Sequence, residues 1–277
     1  MTTRHLACAL ATLAFLTSAA RSEESLEELK ARLQKNWEPW KGCEPGSWFQ
    51  TRSKSKTGTS DTETETRQTL VSRDEKGLTV ETRTVKRKTD EQGDEVVEFG
   101  DPTNSTIPAA QQLTYENLKE LPREAVEVEG KKIDCRVIEL EYVYKYPQPV
   151  AGQTEWRTKM TCWISPVVKE MGGIVKTEGD SDNQGMMGAQ SFDMKMVAAG
   201  KEVKIGDATV KCSVYKYGNS TGKEEMTSAG ELWMSEDVPF GYAKMKMQSN
   251  YGVGASKMHM EMETEITGME IVKAKTE

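Results

Sequence analysis

From Gly46 onward, polar and apolar residues alternate along most of the chain, which is the pattern of β-strands that bury one face. Residues 47–52, 61–71 and 77–85 follow this period and are separated by short glycine-containing turns. Apolar residues make up 36% of the chain and charged residues 29%, a balance that favours antiparallel sheets with one solvated face. The predicted fold class is mainly β: a long antiparallel meander, arranged as a half-barrel or a sandwich, with one helix ahead of it.

That helix is predicted from a change of period before the first strand. Ser25 and Glu28 have the spacing of a capping box, and apolar residues then recur at helical spacing as far as Trp37, until Pro39 ends the pattern. We assign residues 23–40 to one N-terminal amphipathic helix. Its apolar stripe is expected to pack on the sheet as a lid, and a partner-binding face is the alternative.

Residues 101–124 interrupt the strand pattern. This stretch contains three prolines and a short segment, residues 114–121, that is compatible with a helix. We interpret it as a connector between a first β-meander, residues 41–100, and a second part, residues 125–277.

The second part contains an internal repeat. In each copy a cysteine-bearing strand is followed by a Trp-x-Ser element and then by a Gly-x-x-Lys strand. The equivalent residues are Cys135 and Cys212, Trp163 and Trp233, Ser165 and Ser235, and Gly173 and Gly241. Each unit is predicted to be strand, turn, strand, tight turn and strand, with the tryptophan as a core anchor and the serine at the strand end. Neighbouring units extend one sheet or stack as two, because three strands alone bury little apolar surface.

Residues 1–22 have the features of a secretory signal peptide. Arg4 precedes a short apolar run, and small residues follow the run. The run is shorter than the roughly 20 apolar residues that span a bilayer, and no second such run occurs downstream. We therefore expect a secreted or periplasmic protein with no transmembrane segment in its mature chain. Cys8 raises the alternative of a lipid anchor, but it lies ahead of the small-residue cleavage signal.

Cysteine usage is compatible with disulfides in an exported protein. Of the five cysteines, Cys8 belongs to the signal segment. The others are Cys43, Cys135, Cys162 and Cys212. An even number allows two bridges with three connectivities. If the strand over residues 133–146 pairs with the strand over residues 154–165, Cys135 and Cys162 fall close in register. We favour a Cys135–Cys162 bridge, and buried free thiols are the alternative.

Sequence signatures of catalysis are absent beyond the signal segment. His259 is the single histidine there, and no nucleophile elbow, phosphate loop or zinc motif occurs. A convergent pair of carboxylates, as in glycosidases, stays open as the enzymatic alternative. We predict a protein that is not an enzyme and has no cofactor. The net charge of -7, without a basic stripe, also argues against a nucleic-acid partner.

Residues 180–185 resemble the first half of a calcium loop. However, Gln184 stands where an acidic or amide ligand is usual, and Ser191 takes the place of the closing glutamate. We interpret the segment as a turn and predict no metal site.

Methionine is the unusual residue of the composition, with 15 in the chain. Several recur at every second position, which places them on one face of a strand. We name these as candidate ligand contacts: Met194, Met196, Met245, Met247, Met258, Met260 and Met262. A flexible core is one interpretation, and a soft lining for an acyl chain or another apolar ligand is the other. A copper(I) site is disfavoured, because His259 and Glu261 would point away from Met260.

The Trp-x-Ser elements, each with its Gly-x-x-Lys strand, resemble those of uncharacterised exported bacterial proteins that repeat such β-meanders. A leading amphipathic helix followed by a long meander is also similar to the periplasmic lipoprotein-carrier fold, an open half-barrel that holds acyl chains. This likeness covers the order of elements from Ser25 onward, and the polar strand over residues 61–67 departs from it.

The resemblance implies an exported, non-enzymatic binding protein or an envelope-associated structural protein. Its expected partner is a lipid or another envelope component. A carrier or sensor of an acyl chain, bound on the methionine-rich face, is the alternative function.

Overall fold

The protein, as a computed structural model, is one curved antiparallel sheet with a single α-helix. The structure describes residues 24–36, 40, 42–75, 77–89, 93–108, 113–150, 153–181, 190–221, 227–239, 241–251 and 258–273. The predicted signal peptide, residues 1–22, lies outside the described residues. No helix in the described ranges is long and apolar enough to cross a membrane.

The elements follow one another with short connections. The helix is α1 (Leu26–Asn36), and a 3₁₀ turn covers Glu170–Gly173. The strands are β1 (Trp48–Thr57), β2 (Ser60–Asp74), β3 (Gly77–Thr89), β4 (Glu95–Phe99), β5 (Thr103–Pro108), β6 (Leu113–Val128), β7 (Lys131–Val150), β8 (Gln153–Ile164), β9 (Ile174–Ser181), β10 (Gln190–Ile205), β11 (Ala208–Thr221), β12 (Thr227–Met234), β13 (Tyr242–Tyr251) and β14 (Met258–Glu270).

All these strands belong to one 14-stranded sheet. Its order is β4-β3-β2-β1-β14-β13-β12-β11-β10-β9-β8-β7-β6, and β5 pairs with β3 beside β4. Every pairing among the described strands is antiparallel, and two pairings are non-sequential, β1 with β14 and β3 with β5. The prediction of a mainly β, antiparallel meander with one helix is confirmed. The sheet is open and single, so the sandwich alternative is wrong.

The predicted helix over residues 114–121 is wrong, because that segment is the first half of β6. Tyr115 pairs with Tyr142 on β7, and its ring is buried in the core. β6 is an edge strand with register shifts after Glu116 and after Leu121. These shifts accommodate Asn117, whose φ is 54°, and Pro122, which an edge strand or a bulge tolerates. The division of the chain at residues 101–124 remains a prediction.

The start of α1 has the hydrogen bonds of the predicted capping box. The Ser25 backbone N–H donates to Glu28 Oε2 at 2.8 Å, and the Glu28 N–H donates to Ser25 Oγ at 3.2 Å. Leu29 and Leu33 are buried against the sheet, beside β6 and the 3₁₀ turn. Arg136 Nη1 on β7 donates to the Glu24 carbonyl at 2.6 Å, which fixes the helix start to the sheet.

Two glycines let aromatic rings lie flat on the inner face, defined here as the face that carries Met194 and Met247. A Cβ at Gly179 would lie 2.6 Å from Phe192 Cζ, and a Cβ at Gly230 would lie 2.8 Å from Tyr217 Oη. Each ring covers the glycine directly opposite it, on β9 and β12 respectively. Because the glycines lack side chains, the sheet can curl at these two positions.

Two hydrophobic cores lie along the sheet. The first combines α1 with β6–β9, the first half of β10 up to Met196, and Tyr215 of β11. The second combines Trp40 and Phe49 with β2, β3 and the β10–β11 hairpin, through Ile205 and Val210. Register shifts after Met196 and after Ala198 bend β10 between them. The β10–β11 hairpin therefore joins the two cores.

The outer face, opposite the inner one, carries alternating charges across six strands. Cross-strand neighbours run in the order Glu63, Lys54, Glu263, Lys246, Glu231 and Lys216. Neighbours in this row approach to 3.7 Å between Lys54 and Glu63 and to 3.9 Å between Lys216 and Glu231. Such exposed pairs stabilise little singly, but this row keeps its part of the outer face solvated.

The two Trp-x-Ser elements make the same backbone contacts. The Ser165 N–H donates to the Gly173 carbonyl at 2.8 Å, and the Ser235 N–H donates to the Gly241 carbonyl at 2.9 Å. Both serines are buried at the ends of β8 and β12. A lysine ammonium also lies over each tryptophan, with Lys176 4.0 Å from the Trp163 ring centre.

The aromatic ring over Gly230 makes that glycine sensitive to substitution. In Gly230→Ala the new methyl group meets the Tyr217 ring and the Lys246 carbonyl oxygen, so we expect a loss of about 1–3 kcal/mol in the free energy of unfolding, measured by urea denaturation. Gly268→Ala is the control, because its Cβ would lie 3.5 Å from the Trp48 ring in ordinary contact. Equal stability of the two variants would contradict this account of the sheet.

Glu65 forms a buried polar network on the outer face. Its side chain accepts from Gln50 Nε2 at 2.6 Å and from Arg87 Nε at 2.8 Å, and the residue is only 8% exposed. The hydrogen bonds from Arg87 hold the pKa of Glu65 below its usual value. Charged hydrogen bonds of this kind contribute about 1.5–3 kcal/mol.

Glu65→Gln should therefore lower the free energy of unfolding by about 2 kcal/mol at pH 7. Because the folded pKa of Glu65 is depressed, its stabilisation is complete above the unfolded pKa near 4.5 and is lost as pH falls through the folded pKa. The difference in the free energy of unfolding between wild type and variant, measured by urea titration, should therefore shrink as the pH falls through that range. Glu63→Gln, with a 55% exposed side chain, is the control and should change stability by less than about 0.5 kcal/mol.

Candidate ligand cavity

The inner face encloses a cavity of about 920 Å³ between β6 and β13. Leu33 of α1 and the 3₁₀ turn contribute to its wall at one end. Its lining is mainly apolar and aromatic. The aromatic residues are Tyr115, Tyr142, Trp156, Phe192, Tyr217 and Tyr242.

Cross-strand pairing brings these side chains to one face. In an antiparallel pair, residues directly opposite one another point the same way. Met194 lies opposite Thr177 on β9 and opposite Tyr217 on β11. Thr177 in turn lies opposite Cys162 on β8. A continuous row across four strands therefore forms part of the cavity floor.

Three aromatic rings form an arc at the β6–β8 side. The Tyr115 and Tyr142 ring centres are 6.0 Å apart, and the Tyr142 and Trp156 centres are 6.2 Å apart, both edge to face. Trp156 Nε1 donates a short hydrogen bond to Ser181 Oγ. Burial raises the pKa of Tyr142, so its phenol stays neutral at physiological pH.

Two polar atoms of the lining have no hydrogen-bond partner among the described residues. Thr158 is only 4% exposed, and its Oγ1 is unpaired. Asn219 Oδ1 on β11 is also buried and unpaired. Unsatisfied buried polar groups are uncommon in folded proteins because they lose their hydrogen bonds to water. Both atoms are therefore available to a bound molecule.

The charged residues of the lining are all acidic. Glu170 in the 3₁₀ turn and Glu236 in the turn after β12 lie at one end of the cavity. Asp193 on β10 also borders the cavity, but its carboxylate lies over Gly218 on the outer face. Arg32 of α1 donates a hydrogen bond to the carbonyl of Gly172 in the 3₁₀ turn, but its charge is paired with that of Glu24 at 2.8 Å.

The seven candidate methionines lie on the inner face, but the structure does not gather them into one site. Met194 lines the cavity, whereas Met196 is fully buried in the first core. Met247 lies opposite Met262, and both line a second cavity of about 820 Å³ among charged side chains of β1, β2 and β11–β14. The remaining three are Met245, Met258 and Met260, and none of them lines the main cavity. Their contact with a ligand remains a prediction.

The expected Cys135–Cys162 disulfide is absent. Cys162 lies opposite Ile138, three positions along β7 from Cys135, so the two thiols point to opposite faces of the sheet. The four cysteines of the described chain are buried, and none of them forms a disulfide. Cys162 lines the cavity, and burial raises its pKa to about 11.

His259 lies on the outer face, away from the methionines beside it. Its Nδ1 is 2.9 Å from Asn250 Oδ1, and its Nε2 is 3.3 Å from Glu261 Oε1. The described residues contain no cluster of three or more histidine, cysteine or acidic side chains that could hold a metal ion. Most of the calcium-like segment, residues 182–185, lies outside the described part of the chain.

Sequence reasoning missed most of the cavity lining. Trp156, Thr158, Met160 and Cys162 recur at period two along β8, and this apolar stripe was the signal available. The lining residues of the other strands lie far apart in sequence, so their convergence depends on how the sheet curls.

No protein-family model matches the chain. No curated protein matches it either. Among solved structures, one similar chain is a "putative lipoprotein" from Parabacteroides distasonis ATCC 8503, with 12% identity over 82% of this chain and 97% of that one, at a TM-score of 0.30. Another is a "putative exported protein with YmcC-like fold" from Bacteroides fragilis NCTC 9343, with 9% identity over 84% and 98%, also at a TM-score of 0.30. Likenesses this weak carry no argument about fold or function.

The buried thiols give a direct test of the fold. Because all four are buried and the thiolate is the reactive form, iodoacetamide at pH 8 should leave Cys43, Cys135, Cys162 and Cys212 unmodified in the native protein. All four should be alkylated after unfolding in denaturant without a reductant. Peptide mass spectrometry measures both states, and a cross-linked Cys135–Cys162 peptide would contradict the structure.

Proposed function

We propose that this protein is an exported, non-catalytic binding protein of the cell envelope that holds an elongated apolar molecule in the cavity of its inner face. The cavity of about 920 Å³ carries the proposal. Ligand sites of this kind occupy about 300–1,000 Å³, are mostly apolar and contain a few polar groups that orient the ligand.

The lining is suited to a flexible hydrocarbon. Met160, Met171, Met194 and Met234 all face the cavity, and thioether side chains adapt to the shape of what they contact. Six aromatic residues add large flat surfaces at low cost in side-chain entropy. Binding would be driven by removing apolar surface of both ligand and lining from water.

Export and the absence of catalysis rest on the sequence. Residues 1–22 have the order of a secretory signal, and the rest of the chain lacks the motifs of the common hydrolases and phosphate-binding enzymes. A carrier or sensor of an acyl chain is the specific form of this proposal that the lipoprotein-carrier resemblance suggests.

A structural role in the envelope is the second candidate function, and the sheet edge favours it. Val96, Val97 and Phe99 of β4 are 39%, 40% and 42% exposed, which is unusual for an edge strand. In this role β4 would pair with a strand of another envelope protein, and the cavity would be incidental.

Binding of diphenylhexatriene, an elongated hydrocarbon that fluoresces in apolar surroundings, tests the ligand-binding proposal. We expect saturable binding by the wild type and at least about tenfold weaker binding by Met160→Gln/Met234→Gln, since two polar amides would enter the half-buried lining. Met258→Gln is the matched control and should bind as the wild type does, because Met258 is 52% exposed and outside the cavity.

Two results would count against ligand binding in this cavity. One is no saturable binding by the wild type. The other is an equal loss in the cavity variant and in Met258→Gln. Circular dichroism of each variant would verify that the sheet is retained.

A further inference from the structure

We propose that the cavity selects apolar molecules whose polar end carries an O–H or N–H donor and no negative charge. This inference rests on the proposed ligand-binding function and specifies its ligand class. Long-chain alcohols, acylglycerols and alkylamines share this chemistry, whereas ionised fatty acids and phospholipids do not.

The first observation is the sign of the charges around the cavity. Glu170 and Glu236 are the charged side chains at one end of the cavity, the carboxylate of Asp193 lies over Gly218 on the outer face, and no lysine, arginine or histidine of the described chain lines the cavity. A carboxylate or phosphate placed inside would meet negative charge without a compensating cation, in surroundings of low polarity that strengthen the repulsion. An anionic head group therefore meets the carboxylates of Glu170 and Glu236 at one end of the cavity and finds no compensating cation at the other.

The second observation is the unpaired hydroxyl of Thr158. This residue lines the cavity and is only 4% exposed, yet its Oγ1 has no partner within the described residues. Its neighbours across the sheet are Tyr142 on β7 and Ser181 on β9. A threonine hydroxyl can both donate and accept, so a ligand hydroxyl would satisfy it fully.

Asn219 gives the third observation, because its buried Oδ1 accepts from no described group. A carbonyl-type oxygen can only accept, which requires a donor on the ligand. Asn219 lies opposite Phe192 on β10, and Phe192 lies opposite Gly179 on β9. Gly179 is two positions along β9 from Ser181, which lies opposite Thr158. The two unsatisfied groups thus lie toward the same end of the cavity, away from the turns that contain Glu170 and Glu236.

This arrangement gives the cavity an orientation. The donor-bearing end of the ligand lies beside Thr158 and Asn219, and its apolar body extends along the methionines and aromatic rings. An ammonium group is accepted as readily as a hydroxyl, because aromatic faces such as that of Tyr142, opposite Thr158, attract cations.

Displacement of bound diphenylhexatriene by three ligands of equal chain length tests the selection. At pH 7.5 we expect dodecanol and dodecylammonium to displace it at concentrations at least tenfold below those needed for dodecanoate, which is ionised at that pH. Equal or better displacement by dodecanoate would overturn the proposal while leaving apolar binding intact. Failure of diphenylhexatriene itself to bind would instead overturn the proposed function.

Two sets of variants separate the contributions. Thr158→Val keeps the side-chain shape and should weaken displacement by dodecanol at least fivefold relative to displacement by dodecane, which has no hydrogen-bonding group. Glu170→Gln/Glu236→Gln should strengthen displacement by dodecanoate severalfold and leave displacement by dodecanol unchanged. A Thr158→Val variant that binds dodecanol as the wild type does, or that loses displacement by dodecane equally, would overturn the assigned contact.

Discussion

Alternation of side chains across one continuous antiparallel sheet is the constraint on which the rest of the structure depends. Because β1 pairs with β14, the two ends of the meander share one hydrogen-bonded surface, and each residue of the described strands lies either on its inner face or on its outer face. A shift of one position in any strand would exchange the two faces. The rows of opposite charges on the outer face and the buried rows on the inner face oppose such a shift together.

The curvature of this two-sided sheet forms the cavity on its inner face. The rings of Phe192 and Tyr217 cover Gly179 and Gly230, and side chains at these glycines would displace the rings. The bend in β10 then carries its second half from the first core to the second. The cavity lies where the curl is supported at one end by α1 and by the turn at Glu170–Gly173. The shape of the cavity thus follows from a few local departures from regular strand geometry.

Local sequence rules predicted most of the secondary-structure elements but few of the contacts between them. The capping box at Ser25 and the period-two strands depend on neighbours in sequence, and both are present. Residues 114–121 were misassigned because edge-strand bulges mimic a broken pattern. The predicted Cys135–Cys162 bridge was wrong because the register between β7 and β8 decides which face each cysteine lies on. The position of the turn between the two strands does not determine that register. The cavity draws on eight strands, so no sequence window contains it.

The electrostatic character of the cavity follows from the same alternation. The chain holds 37 lysines and arginines, yet none in the described ranges lines the inner cavity. On the strands beside it, lysines such as Lys216 and Lys246 are used on the outer face, where glutamates oppose them. Hydroxyls, amides and carboxylates are then the polar groups left to the inner side. A sheet that places these cations on its outer face consequently presents to any ligand an interior that accepts hydrogen bonds and has no cation to pair with an anion.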